Sequence, residues 1–91
     1  MIRSFRSRAL QALWERDDAS RLHGSTDRLK LALRRLNVAV RPEEMNIPGY
    51  HFHALAGRRR GAYAIRITGN WRLTFEWDGE DASRIDYEDY H

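Results

Sequence analysis

Two histidines, His51 and His53, sit two residues apart, and a run of arginines, Arg58, Arg59 and Arg60, follows closely. Arg66 and Arg72 come next, and the sequence closes on Asp89, Tyr90 and His91. Those residue types meet the three demands of cutting an RNA phosphodiester. A base takes the proton of the 2′-hydroxyl, an acid protonates the departing 5′ oxygen, and cations stabilise the charge that builds on phosphorus oxygens. Histidine fills either proton role near neutral pH, and arginine fills the third with a planar fork that matches phosphate. An aromatic ring can stack and orient a base. DNA lacks the 2′-hydroxyl, so a metal-free site of this kind acts on RNA alone.

Each residue also has a plainer reading. His51 and His53 form an H-x-H pair that could hold a metal, but no further Cys or carboxylate spacing supports zinc, and the metal reading is rejected. Arg72 could pair with Glu76 across a polar face instead of clamping a phosphate. Arg58 to Arg60 could be a solvated hairpin tip, and Arg34 and Arg35 read as helix surface. Asp89 would repel a phosphate unless it holds or tunes an imidazole, His53 or His91.

To act together these side chains must share a surface, and the periodicity provides one. From Tyr50 onward the pattern has a period of two. Tyr50 and Phe52 alternate with His51 and His53; Tyr63, Ile65 and Ile67 with Ala64 and Arg66; Trp71, Leu73, Phe75 and Trp77 with Arg72, Thr74 and Glu76; Ile85 and Tyr87 with Arg84 and Asp86. The segments AGRRRGA, TGN and DGED separate them as turns. An antiparallel meander results, apolar on one face and polar on the other, with the polar face holding His51, His53, Arg66 and Arg72 and receiving Asp89, Tyr90 and His91 from the last strand. The tryptophan-bearing stripe belongs to the core and does not stack bases.

The first forty residues have helical spacing. Leu10, Leu13 and Trp14 form one face. Ser25, Thr26 and Asp27 read as a cap before the stripe Leu29, Ala32, Leu33 and Leu36. A short strand is expected at Ile2–Phe5, and Pro42 and Pro48 bound a connector with one helical turn. Two helices on one face of a small antiparallel sheet make a single α+β domain over residues 1–91.

Composition narrows the setting. The chain has no cysteine, so disulfide and thiol chemistry are excluded. No apolar run approaches a membrane span of roughly 20 residues, and the MIRSFRSRAL start lacks a signal-peptide core. A soluble, cytoplasmic protein is expected. Fifteen of the 16 basic residues are arginine, and the charge is segregated: residues 1–72 balance at +9 and residues 73–91 at −6. A basic, arginine-rich body favours a polyanionic partner.

The stretch IPGYHFHALAGRRRGAYAIRITGNWRLTFEW, followed by the YEDYH ending, resembles the HigB toxins of the RelE superfamily of bacterial toxin–antitoxin systems, and the likeness covers nearly the whole chain from MIRSF onward. The resemblance implies a RelE-like fold and a ribosome-dependent endoribonuclease that cleaves mRNA without a metal or other cofactor. It also implies a helix-turn-helix antitoxin, HigA-like, with operator DNA bound only through the toxin–antitoxin complex. It carries site roles onto His53, Arg72, Asp89, Tyr90 and His91, with Arg58, Arg59, Arg60 and Arg66 as RNA contacts. One position departs: the family's lysine is Ala56 here. The arginine turn is expected to compensate; otherwise the chain is a weakened toxin that acts mainly as co-repressor with its antitoxin. The imidazole of His91 would also lie close to that residue's own carboxylate, which favours the protonated ring.

Overall fold

The computed structural model describes residues 1–22 and 26–90; Ser25, read above as part of a cap, and His91 lie outside the described residues. Helix α1 spans Arg8–Arg16 and helix α2 spans Thr26–Val38. Ser7 caps α1, its hydroxyl accepting from the Leu10 N–H at 3.1 Å. Asp17 ends the helix in the left-handed region, φ 56°, and its N–H reaches the Leu13 carbonyl at 3.0 Å. The expected α2 stripe is the buried one: Leu29, Ala32, Leu33 and Leu36 have no exposed surface. A 3₁₀ turn at Pro42–Met45 supplies the single helical turn of the connector, closed by Glu44 Oε2 accepting from the Val40 and Arg41 N–H groups at 3.1 and 3.2 Å.

Four strands follow: β1 His53–Ala54, β2 Ala62–Thr68, β3 Trp71–Asp78 and β4 Asp81–Asp89. They pair in chain order, each antiparallel to the next. The helices cover one face, and Leu10, Leu33, Ile65, Leu73, Phe75 and Ile85 meet there in one core. Trp71 and Trp77 pack against that core, half-buried, and Trp71 stacks on Tyr87 at 4.8 Å between ring centroids. Among the described residues no helix is long and apolar enough to cross a membrane.

Two expectations change. The leading segment is not a strand; it makes two isolated parallel bridges, Ile2 to Ala82 and Phe5 to Ile85, along the outer edge of β4. A bulge in β4 interrupts the ladder there, with the β3–β4 register shifting between Thr74 and Glu76 and Arg84 at φ 51°. The same extra residue lets Ala82, Ile85 and Tyr87 all face the core although their spacing is not a uniform two. At the other edge the strand expected from Tyr50 begins only at His53, because His51 sits in the left-handed region at φ 49°. Tyr50 is buried beneath it. Its carbonyl accepts from the Arg66 N–H at 2.6 Å, and its hydroxyl accepts from Arg35 at 3.1 Å.

Candidate active site

Strand register fixes which side chains share the face the helices leave open. Arg66 lies directly opposite Arg72, and Arg72 directly opposite Glu88, in one row across β2, β3 and β4. The neighbouring row runs His53, Ala64, Thr74, Asp86 across all four strands. Rows on one face lie about 7 Å apart and strands about 4.8 Å apart, so His53 and Arg72 flank a patch whose floor is Ala64 and Thr74. Tyr90 continues past β4, tied by its N–H to the Asn70 carbonyl at 2.8 Å. Its ring faces the Arg72 guanidinium at 5.6 Å. Arg72 Nη1 donates to the Gly69 carbonyl at 2.9 Å, which fixes the side chain against the β2–β3 turn.

An arginine pair held opposite across two strands is repulsive on its own. Glu88 opposite Arg72 offsets part of that cost, and an anion bound on this face would offset more.

His53 is exposed on the edge strand, and its Nδ1 lies 3.0 Å from the His51 carbonyl oxygen. A carbonyl only accepts, so Nδ1 carries a proton, and in the neutral ring Nε2 is then the acceptor. The left-handed His51 turns that carbonyl toward the ring. The alternation expected of His51 and His53 is therefore corrected: they do not share one strand, and the two imidazoles have different settings. His51 contributes its backbone carbonyl to orienting His53.

Asp89 also departs from expectation. It pairs in register with Trp71, so its side chain leaves the strand on the face opposite Arg72, Glu88 and Tyr90. The acid in the open-face row is Glu88, which sequence reasoning missed. Arg59 forks onto it, Nη1 to Oε1 at 2.8 Å and Nη2 to Oε2 at 2.6 Å, and Thr74 Oγ1 donates to the same carboxylate at 2.5 Å. The turn Gly57–Arg59 thereby folds back across the sheet from the β1 edge to β4. Ala62, Ala64 and Thr74 are consequently buried although they point away from the helices. Of the three turn arginines, Arg59 is thus engaged, while Arg58 and Arg60 stay exposed. Arg72 does not pair with Glu76, which instead meets Arg84 Nε at 3.2 Å.

The Arg59 hydrogen bonds hold the Glu88 carboxyl below its ordinary value against an opposing effect of burial, and the Thr74 hydroxyl adds to the depression. A depressed folded-state value means that the charged form stabilises the fold above the ordinary carboxylate range, and that this contribution disappears as pH falls through the folded value. Glu88→Gln is therefore expected to flatten the acid limb below about pH 4.5 when urea midpoints are measured against pH, and to lower the midpoint at neutral pH. Parallel acid limbs for the two proteins would contradict the assignment.

Comparison with known proteins places the chain in a family. A family model described as the RelE-like toxin of the type II toxin–antitoxin system HigB matches residues 3–91. A protein of Proteus vulgaris named Endoribonuclease HigB is 36% identical over 92 residues, an alignment spanning all of both chains. With two helices packed on a four-stranded antiparallel sheet and a family match over nearly its whole length, the chain belongs to the HigB-like family, the RelE-like toxins of type II toxin–antitoxin systems.

Proposed function

We propose that this toxin is a ribosome-dependent endoribonuclease that cleaves messenger RNA in the cytoplasm by metal-independent attack of the 2′-hydroxyl. The observation that carries the reading is the arginine pair, Arg66 opposite Arg72, on an open face flanked by His53 and Tyr90. The name of the Proteus vulgaris relative supports the reaction class.

His53 acts as base through Nε2, taking the 2′-hydroxyl proton. The 2′ oxygen bonds to phosphorus and the bond to the 5′ oxygen breaks. His91 protonates that oxygen, leaving a 2′,3′-cyclic phosphate and a 5′-hydroxyl. Arg72, with Arg66, stabilises the charge on the non-bridging oxygens. Tyr90 stacks or orients the base, its other side steadied by the Arg72 guanidinium. Asp89 tunes its neighbour His91, raising that ring's affinity for a proton. Arg58 and Arg60 make further RNA contacts.

Membership of a type II system gives the chain an antitoxin partner. That partner is a HigA-like helix-turn-helix protein, and operator DNA is bound only by the complex. Incubating labelled message with the toxin, with and without purified ribosomes, tests the proposal. Cleavage is expected only with ribosomes. Cleavage of naked RNA would overturn ribosome dependence, and no cleavage in either arm would overturn the activity.

Ala56, where the family carries lysine, favours a second reading: a weakened toxin serving mainly as co-repressor. Ala56 is exposed and caps the arginine turn. If Arg58 and Arg60 compensate, Ala56→Lys changes the cleavage rate by less than about threefold, well under the roughly 1.4 kcal/mol that a tenfold change represents. A gain of about a hundredfold on ribosomes, roughly 2.7 kcal/mol, would establish the weakened toxin.

A further inference from the structure

Beside the Arg66–Arg72 row, the open face holds a cavity of about 490 Å³ walled by Arg6, Arg58, Arg59, Arg60 and Arg84. Two acids, Glu76 and Asp86, share the lining, leaving a net positive site. Arg59 is engaged by Glu88 and Arg84 by Glu76, while Arg6, Arg58 and Arg60 make no ion pair within 4.0 Å among the described residues, and Arg6 acts on the Glu88 carboxylate only from a distance. The arginines come from three separate places: the leading segment, the turn after β1, and the β4 bulge. A basic run in the sequence does not explain their convergence. Gathering guanidinium groups with too few counter-charges raises the energy of each, and a bound polyanion relieves it.

Arg84 adds an independent observation. It stands at the β4 bulge in the left-handed region, φ 51°, a conformation that residues other than glycine, asparagine and aspartate rarely adopt. Its N–H is held by Ser4 Oγ at 2.9 Å, so the conformation is built into the edge. Bulges next to active sites re-aim side chains, and this one carries an arginine lining the cavity.

We propose that this cavity is a second phosphate subsite, binding the RNA backbone apart from the bond that is cut. The inference rests on the endoribonuclease reading and extends it. Guanidinium forks match phosphate oxygens bidentately, and the lining offers no exposed aromatic ring on which a base could stack, so the subsite reads backbone without reading sequence. Arg84 lies six residues along β4 from Tyr90, roughly 20 Å at the rise of a strand. A few nucleotides span that distance. The Arg59–Glu88 fork holds the turn at a fixed position over β4 and so sets the separation of the two sites.

Salt-dependent binding tests it. A fluorescent, uncleavable 2′-O-methyl oligoribonucleotide and, separately, ribosomes without message are titrated with the toxin over a potassium chloride series. For a single strand, removing one arginine that neutralises a phosphate reduces the steepness of log K against log salt by about 0.7. Arg84→Asn, which tolerates the left-handed backbone, is expected to reduce it by about 0.7, and the double variant Arg58→Ala with Arg60→Ala by about 1.4. Arg16→Ala, at the end of α1 on the helix side, keeps the wild-type slope. A reduction with the oligonucleotide assigns the message strand; a reduction with ribosomes alone assigns ribosomal RNA. Unchanged slopes in both arms overturn the subsite, as does an effect confined to antitoxin binding. The double variant alters only exposed turn residues, so the test stands even where Arg84→Asn fails to fold. A wild-type toxin that binds RNA with the predicted slope but never cuts message would mark failure of the endoribonuclease reading instead.

Discussion

His53→Ala is expected to lower the rate of message cleavage on ribosomes by about 10²- to 10⁴-fold, the contribution of one well-placed acid or base. The fold should scarcely notice. His53 is exposed on a two-residue edge strand, and substitutions of that kind usually fall within about 0.5 kcal/mol of neutral. The combination of a large rate loss and an unchanged melting curve separates proton transfer from support of the fold. The backbone of His51 supplies an internal control. Its left-handed conformation directs the carbonyl that fixes the His53 tautomer, at 3.0 Å from Nδ1. His51→Gly keeps that conformation at no steric cost and should retain most of the activity, whereas His51→Val should lose it, because a β-branched residue resists φ near 49°. If His51→Gly were as inactive as His53→Ala, the imidazole of His51 would have a role that its backbone does not explain.

Arg72→Ala is expected to cost about 10²- to 10³-fold in cleavage, the range found when one stabiliser of transition-state charge is removed. Arg72→Lys should recover only a small part, since an ammonium cannot reproduce a planar fork. The accompanying change in stability is what identifies the residue's purpose. Arg72 lies opposite Arg66, so its removal relieves a like-charge repulsion while breaking the hydrogen bond to the Gly69 carbonyl. The two effects oppose each other, and the urea midpoint should move by no more than about 1 kcal/mol in free energy. A variant that is inactive and nearly as stable as the wild type marks an arginine kept for an anion. A large loss of stability would instead make Arg72 a clasp on the β2–β3 turn.

Much of this architecture is legible in the sequence because it follows from periodicity. The stripe Leu29, Ala32, Leu33, Leu36 can be buried only on one side of a helix, and all four are fully buried. The long strands are equally plain, since Leu73 and Phe75 or Ile65 and Ile67 can share a core only by alternating. What escapes depends on single backbone residues outside the usual regions. Nothing in the types of His51 or Arg84 announces a positive φ, and each one redirects a strand. The first shortens β1 and turns a carbonyl toward His53; the second lets Ile85 and Tyr87 join Ala82 in the core.

The acidic end of β4 is partly legible. Tyr87 in the core fixes the alternation, which then puts Glu88 and Tyr90 beside Arg72 and sends Asp89 to the opposite face. Counting from Tyr87 finds Glu88. It does not find Arg59, because no local pattern tells which of three consecutive arginines reaches a partner 29 residues away. The roles proposed for Asp89, Tyr90 and His91 come through family resemblance, and His91 lies outside the described residues.

In the proposed mechanism the 2′-hydroxyl of the message is the nucleophile. A message carrying a single 2′-deoxynucleotide at the site of cleavage, loaded on ribosomes with the wild-type toxin, tests it most directly. The substituted position is expected to stay uncut while the all-ribose message is cut there, leaving a 2′,3′-cyclic phosphate and a 5′-hydroxyl. Cleavage at the deoxy position at the normal rate would contradict it.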